Sequence, residues 1–117
     1  MTAEDARWWL LVMAADDYCS LVEALWEFGL PDNPLPGAPD EFTVRRLLWD
    51  LVQKDLVALH YCNEIYGETQ PVRPGDRARV FEDPASWREP HEGVVGIRFA
   101  CTPAGDELVR SRSVSAG

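Results

Sequence analysis

The 117-residue sequence predicts an α+β domain, and three stretches predict it. In residues 42–53, Val44, Leu47, Leu48, Leu51 and Val52 recur at three- and four-residue spacing, the apolar stripe of an amphipathic helix. Past Asp55 the period drops to two. Val57, Leu59 and Tyr61 alternate with Ala58, His60 and Cys62, as in a strand with one face inward. A second alternating run places Val95, Ile97, Phe99 and Cys101 on one face. It leads straight into Thr102 and Pro103, an N-cap and first-turn proline.

Residues 2–28 read as helical. Thr2 and Asp5 have the form of a capping box, and Trp8, Leu11, Val12 and Ala15 share a stripe with Trp9 and Met13 alongside. Asp16-Asp17 breaks the segment. Leu21, Val22, Leu25, Trp26 and Phe28 continue on a second helix that Gly29 and Pro31 close. Residues 29–41 hold four prolines and two glycines, which exclude a regular helix. Asp40 then caps the central helix, and Glu41 in its first turn suits the helix dipole. Opposite the apolar stripe lie Arg46, Trp49, Asp50 and Gln53, with Arg45 at the margin, so Trp49 is expected to be exposed. Residues 63–93 form a long loop between the two strands, with RARVFE (77–82) as a short extra strand and Asp83–Trp87 as one helical turn. In the short last helix Leu108 and Val109 are expected to face the core. Residues 1–110 thus form one domain and 111–117 a flexible tail.

The stretch FTVRRLLWDLVQKDLVALHYC (42–62) resembles the third helix and first wing strand of bacterial winged-helix proteins. VVGIRFACTPAGDELV (94–109) is similar to their second wing strand and following helix start, as in MarR- and PadR-like regulators. Together the two stretches cover about a third of the chain. The resemblance implies a small winged-helix domain with three or more N-terminal helices, an antiparallel wing with a long loop and a short C-terminal helix. It also implies transcriptional regulation. Arg45, Arg46 and Gln53 would then enter the major groove, and Arg73, Arg77 and Arg79 would contact phosphate or the minor groove.

Composition bears on function. No apolar run approaches the roughly 18 residues of a membrane span, and Glu4 and Asp5 stand where a secretory signal would be basic. A cytoplasmic protein is expected, with Cys19, Cys62 and Cys101 as small buried hydrophobes. The net charge of −9 is uneven: residues 1–41 carry nine acids against one arginine, and the rest is almost balanced. Residues 42–82 hold six bases and six acids, whereas DNA readers usually show a basic footprint. No spacing links a cysteine to His60 or His91 as nucleophile and base, and His60, Cys62 and His91 do not form a metal-binding motif. Neither an enzyme nor a cofactor is expected.

The reading that follows is a non-catalytic acidic protein-interaction module of immunity, inhibitor or antitoxin type, bound to a basic protein. Asp16, Asp17, Asp32, Asp40, Glu41 and Trp49 would carry that contact. The alternative is the DNA-binding regulator. Homodimerisation through the N-terminal helices fits either reading.

Overall fold

The structure, a computed structural model, describes residues 1–116, with side chains through Arg112. In chain order it contains α1 (Ala3–Asp16), β1 (Cys19–Ser20), α2 (Leu21–Trp26), α3 (Glu41–Gln53), β2 (Val57–Asn63), β3 (Thr69–Pro71), α4 (Arg77–Glu82), β4 (Val95–Cys101) and α5 (Pro103–Ala116). Single 3-10 turns sit at Pro74–Asp76 and Pro84–Trp87. It is an α+β domain with a four-stranded antiparallel sheet in the order β1-β4-β2-β3.

Local chemistry sets the helix ends. Asp5 N donates to Thr2 Oγ1 and Thr2 N to Asp5 Oδ2, both at 3.0 Å, which completes the capping box of α1. Asp40 accepts from Thr43 N at 2.8 Å and starts α3. At the other end Leu56 N bonds Leu51 O and Asp55 N bonds Val52 O, with Asp55 at φ 57. This is a Schellman close in which an aspartate takes the left-handed position that glycine usually fills. It turns the chain from α3 into β2 within three residues. Gly29 (φ 76) closes α2 the same way, and a Cβ there would collide with the Asn33 carbonyl.

The core lies between the helices and one face of the sheet. In α1, Ala6, Leu10, Leu11 and Ala14 are buried, and α3 buries all five residues of its predicted stripe. Leu59 pairs with Phe99 across β2–β4, Cys19 pairs with Phe99 across β1–β4, and Leu59 and Phe99 have no exposed surface. The opposite face of the sheet is closed by polar chemistry. Arg98, only 2% exposed, pairs there with Glu64, the residue just after β2. Its Nη2 and Nε donate to Glu64 Oε1 at 2.7 and 3.0 Å, its Nη1 donates to the Tyr18 carbonyl at 2.9 Å, and its guanidinium lies 4.8 Å from the Tyr66 ring centroid. Burial opposes the Arg98 charge, but the Glu64 hydrogen bonds and charge outweigh it, so the Arg98 pKa goes up. His60, the neighbour of Arg98 across β2–β4, stacks edge-on against Tyr18 at 5.0 Å.

Several expectations are corrected. RARVFE forms the helix α4, not a strand. Its adjacent Val80 and Phe81 are both buried, whereas a strand would send them to opposite faces. Phe81 packs 5.1 Å from Trp49 and 5.2 Å from Trp87, so Trp49 is half-buried instead of exposed. The strand phase also differs: Cys62 and Arg98 are buried, while Val95, at the start of β4, is exposed. Leu108 is exposed and only Val109 packs on the core. The last helix is longer than expected and takes in residues 111–116, assigned from sequence to the tail; Gly117 lies outside the described residues. The two short edge strands β1 and β3 were not foreseen.

Replacing Arg98 alone by Met, or Glu64 alone by Leu, is expected to destabilise the fold by about 3–5 kcal/mol in denaturant titrations, because one buried charge is left unpaired. The double replacement should recover most of that loss. Single variants that unfold like wild type would mean that the pair is not buried. Stability should also depend on His60. Burial first, then the Arg77 charge, lowers its pKa in the folded state, so the unfolded chain takes up the proton more readily. Stability is then full above about pH 6.5 and falls as pH drops through that value. Urea midpoints measured from pH 7.5 to 5 should show this slope, and His60→Gln should remove it.

Candidate functional site

A groove of about 950 Å³ runs along the outer sides of α1 and α2, with α5 contributing Val109. Helix phase makes it. Because α1 turns Leu10, Leu11 and Ala14 inward, Trp9, Val12, Met13 and Asp16 are left on its other flank. Likewise α2 buries Leu21, Ala24 and Leu25 and leaves Glu23, Trp26 and Glu27. Asp17 ends α1 in an extended conformation and its carboxylate accepts from Tyr18 N at 2.7 Å, turning the chain toward β1. Trp9 is anchored edge-on against Phe28 at 5.5 Å, while Trp26 is 44% exposed. The groove therefore has an apolar floor and wall, three carboxylates, and no cationic side chain among its lining residues.

Cys19 lies in this groove. Burial, followed by the charges of Glu23 and Asp17, pushes its thiol up to about 12. Cys101 also rises to about 12, from burial and from Asp106. Near neutral pH both are protonated and poorly nucleophilic. No group of three or more His, Cys, Asp or Glu side chains that could hold a metal occurs among the described residues.

A second hollow of about 330 Å³ lies where α4 packs near α3 and includes Phe42, Arg45, Arg46, Trp49 and Phe81. Arg45 bonds Glu41 at 3.1 Å and its guanidinium lies 4.1 Å over the Trp87 ring. Arg77 reaches Asp55 and Arg79 reaches Asp76, each at 3.5 Å. Half of the six candidate DNA contacts are therefore ion-paired; Arg46, Gln53 and Arg73 are exposed.

The acidic candidates separate. Asp16 lines the groove and Asp17 follows it in the chain. Asp32 is exposed in the loop before α3. Asp40 is committed to the α3 N-cap, where the Thr43 hydrogen bonds hold its carboxyl below the usual range. Glu41 is paired with Arg45, and Trp49 sits in the other hollow, beside arginines. Trp9, Met13, Glu23, Trp26, Glu27 and Val109 were not assigned to a site from sequence. The signal was present in the i, i+3, i+4 spacing of Glu23, Trp26 and Glu27, which shares one helix face. No family model, curated protein or solved structure matches the chain.

Mass spectrometry after brief iodoacetamide treatment near pH 8 should find Cys19 and Cys101 alkylated far more slowly than the same residues in urea. Native rates equal to unfolded rates would overturn the raised thiol pKa values.

Proposed function

We propose that the chain is a non-catalytic interaction domain that binds a basic segment of a partner protein in the α1–α2–α5 groove. The observation that carries this reading is the groove's lining, in which six apolar side chains adjoin three carboxylates and no lining residue is cationic. A cationic amphipathic helix is the complementary ligand. Its apolar face would cover Trp26 and Met13, and its Lys or Arg side chains would meet Asp16, Glu23 and Glu27. The net charge of −9 would speed the encounter by long-range attraction, and desolvation of the tryptophans would supply most of the binding energy. An inhibitor, immunity or antitoxin role for a basic target is the biological form this chemistry fits best.

The element order also supports a winged-helix variant. Three helices lead into an antiparallel strand pair, β2 and β4, with a long insertion between them and a helix after. In that variant α3 would be the reading helix, yet α4 and Trp87 pack against its outward Trp49 and Arg45. This supports protein binding over DNA reading.

The test uses a fluorescein-labelled amphipathic peptide of about 18 residues, near 27 Å as a helix, with Leu on one face and Lys and Arg on the other. A Glu counterpart and a mixed-sequence DNA duplex serve as comparisons. The cationic peptide alone should bind, more weakly as salt rises. Trp26→Ala should weaken it about ten-fold or more, as expected of a hot spot. Reversing Glu23 and Glu27 to Lys should slow association and flatten the salt dependence. Binding of duplex in preference to peptide, or indifference to both sets of substitutions, would overturn the assignment.

A further inference from the structure

A separate cavity of about 200 Å³ lies at the unpaired edge of β4, between the end of β1 and the segment after α4. β1 pairs with β4 only at Arg98 and Phe99, so residues 95–97 have no strand partner on that side. Ser20, 3% exposed, lines the cavity, and its Oγ has no hydrogen-bond partner in the protein. It occupies the N-cap position of α2 yet does not cap that helix. A serine there normally turns its hydroxyl onto the helix amides, so this hydroxyl is left for something else. A buried hydroxyl without a partner is costly.

Glu64, 6% exposed, is another lining residue. Its Oε1 takes two Arg98 hydrogen bonds, at 2.7 and 3.0 Å, and a weak contact from Cys62 Sγ at 3.6 Å. Its Oε2 takes a single long one, at 3.2 Å. That oxygen rests where a side chain on Gly96 would be: a Cβ there would come within 2.8 Å of it. Val94, Val95 and Ile97 provide an apolar wall, and the opposite wall is braced by Trp87, whose Nε1 donates to the Phe81 carbonyl at 2.7 Å.

We propose that this cavity binds a small neutral polyol, of monosaccharide size or below. The polar groups ask for a ligand that both donates and accepts. Glu64 Oε2 can only accept from it, Ser20 Oγ can do either, and the open strand edge offers backbone groups. Hydroxyl groups on adjacent carbons meet that requirement. The charges at the cavity balance, Glu64 against Arg98 and Arg88 against the adjacent Glu89, so neither a cation nor an anion is favoured. The sugar's C–H face would lie on the valine wall. Nothing in this site depends on the acidic groove.

The experiment is an amide-resolved NMR titration of the full chain with glucose, ribose, inositol and glycerol in turn, each to about 50 mM. Propylammonium and acetate serve as charged controls. Shifts confined to the amides of residues 20, 64 and 94–97 that saturate with at least one polyol, and with neither control, support the proposal. Ser20→Ala removes no protein hydrogen bond, so it should fold normally and weaken that binding about three- to ten-fold, the effect of one hydrogen bond. Ser20→Val, which narrows the cavity, should abolish it. No saturating shift with any polyol overturns the proposal, as does a stronger response to either control, or polyol binding unchanged in both Ser20 variants.

Discussion

The Arg98–Glu64 pair is the constraint on which the second face of the sheet depends. Arg98 sits mid-strand in β4, between the two strands that flank it, at a position whose alternation points away from the apolar core. A charge there is either solvated or fully paired. This one is paired, with Glu64 in a forked arrangement and with the Tyr18 carbonyl at the start of β1. One guanidinium thereby joins β4, the chain leaving β2 and the chain entering β1. Desolvation and attraction nearly cancel in such pairs, so the consequence is more positional than energetic. It determines where the loop after β2 leaves the sheet, how β1 docks, and where Glu64 and Ser20 stand at the β4 edge.

The same economy governs the long insertion between β2 and β4. It carries most of the chain's clustered arginines, but it folds back as α4 and a 3-10 turn instead of projecting as a flexible loop. Phe81 and Trp87 form an aromatic cluster with Trp49 of α3, and Arg45 is drawn onto Trp87. Aromatic burial outweighs the solvation of a few charges, since rings of this size each bury well over 100 Å². The outer face of the central helix is thus partly occupied from within. The unpaired negative charge lies elsewhere, along α1 and α2, where helix phase leaves carboxylates and tryptophans side by side.

What the sequence determined by itself is local and periodic. The capping box at Thr2, the Asp40 cap, the stripe of α3, the turn at Asp55 and the strand period of β2 each depend on residues within one or two turns of one another. Their chemistry can be read in any window that contains them. The closing turn Asp83–Trp87 was legible for the same reason. The acidity of the first third was legible too, and Asp16 and Asp17 follow from it.

Tertiary structure alone decided which of those side chains act together. Asp32, Asp40 and Glu41 look like Asp16 in the sequence, but one is isolated in a loop and two are spent on α3 itself. Trp26 fitted the inner stripe of α2, yet α2 is only six residues long and its last turn carries the ring outward. RARVFE became a helix because two adjacent apolar residues found one aromatic surface, which lies about thirty residues back along the chain in Trp49. Arg98 reads as an outward strand residue until Glu64, thirty-four positions away, closes over it. Periodicity reports which face of an element is apolar. It does not report what arrives to cover the other face, because that contact is made by residues far apart in the chain and is settled by packing and charge in three dimensions.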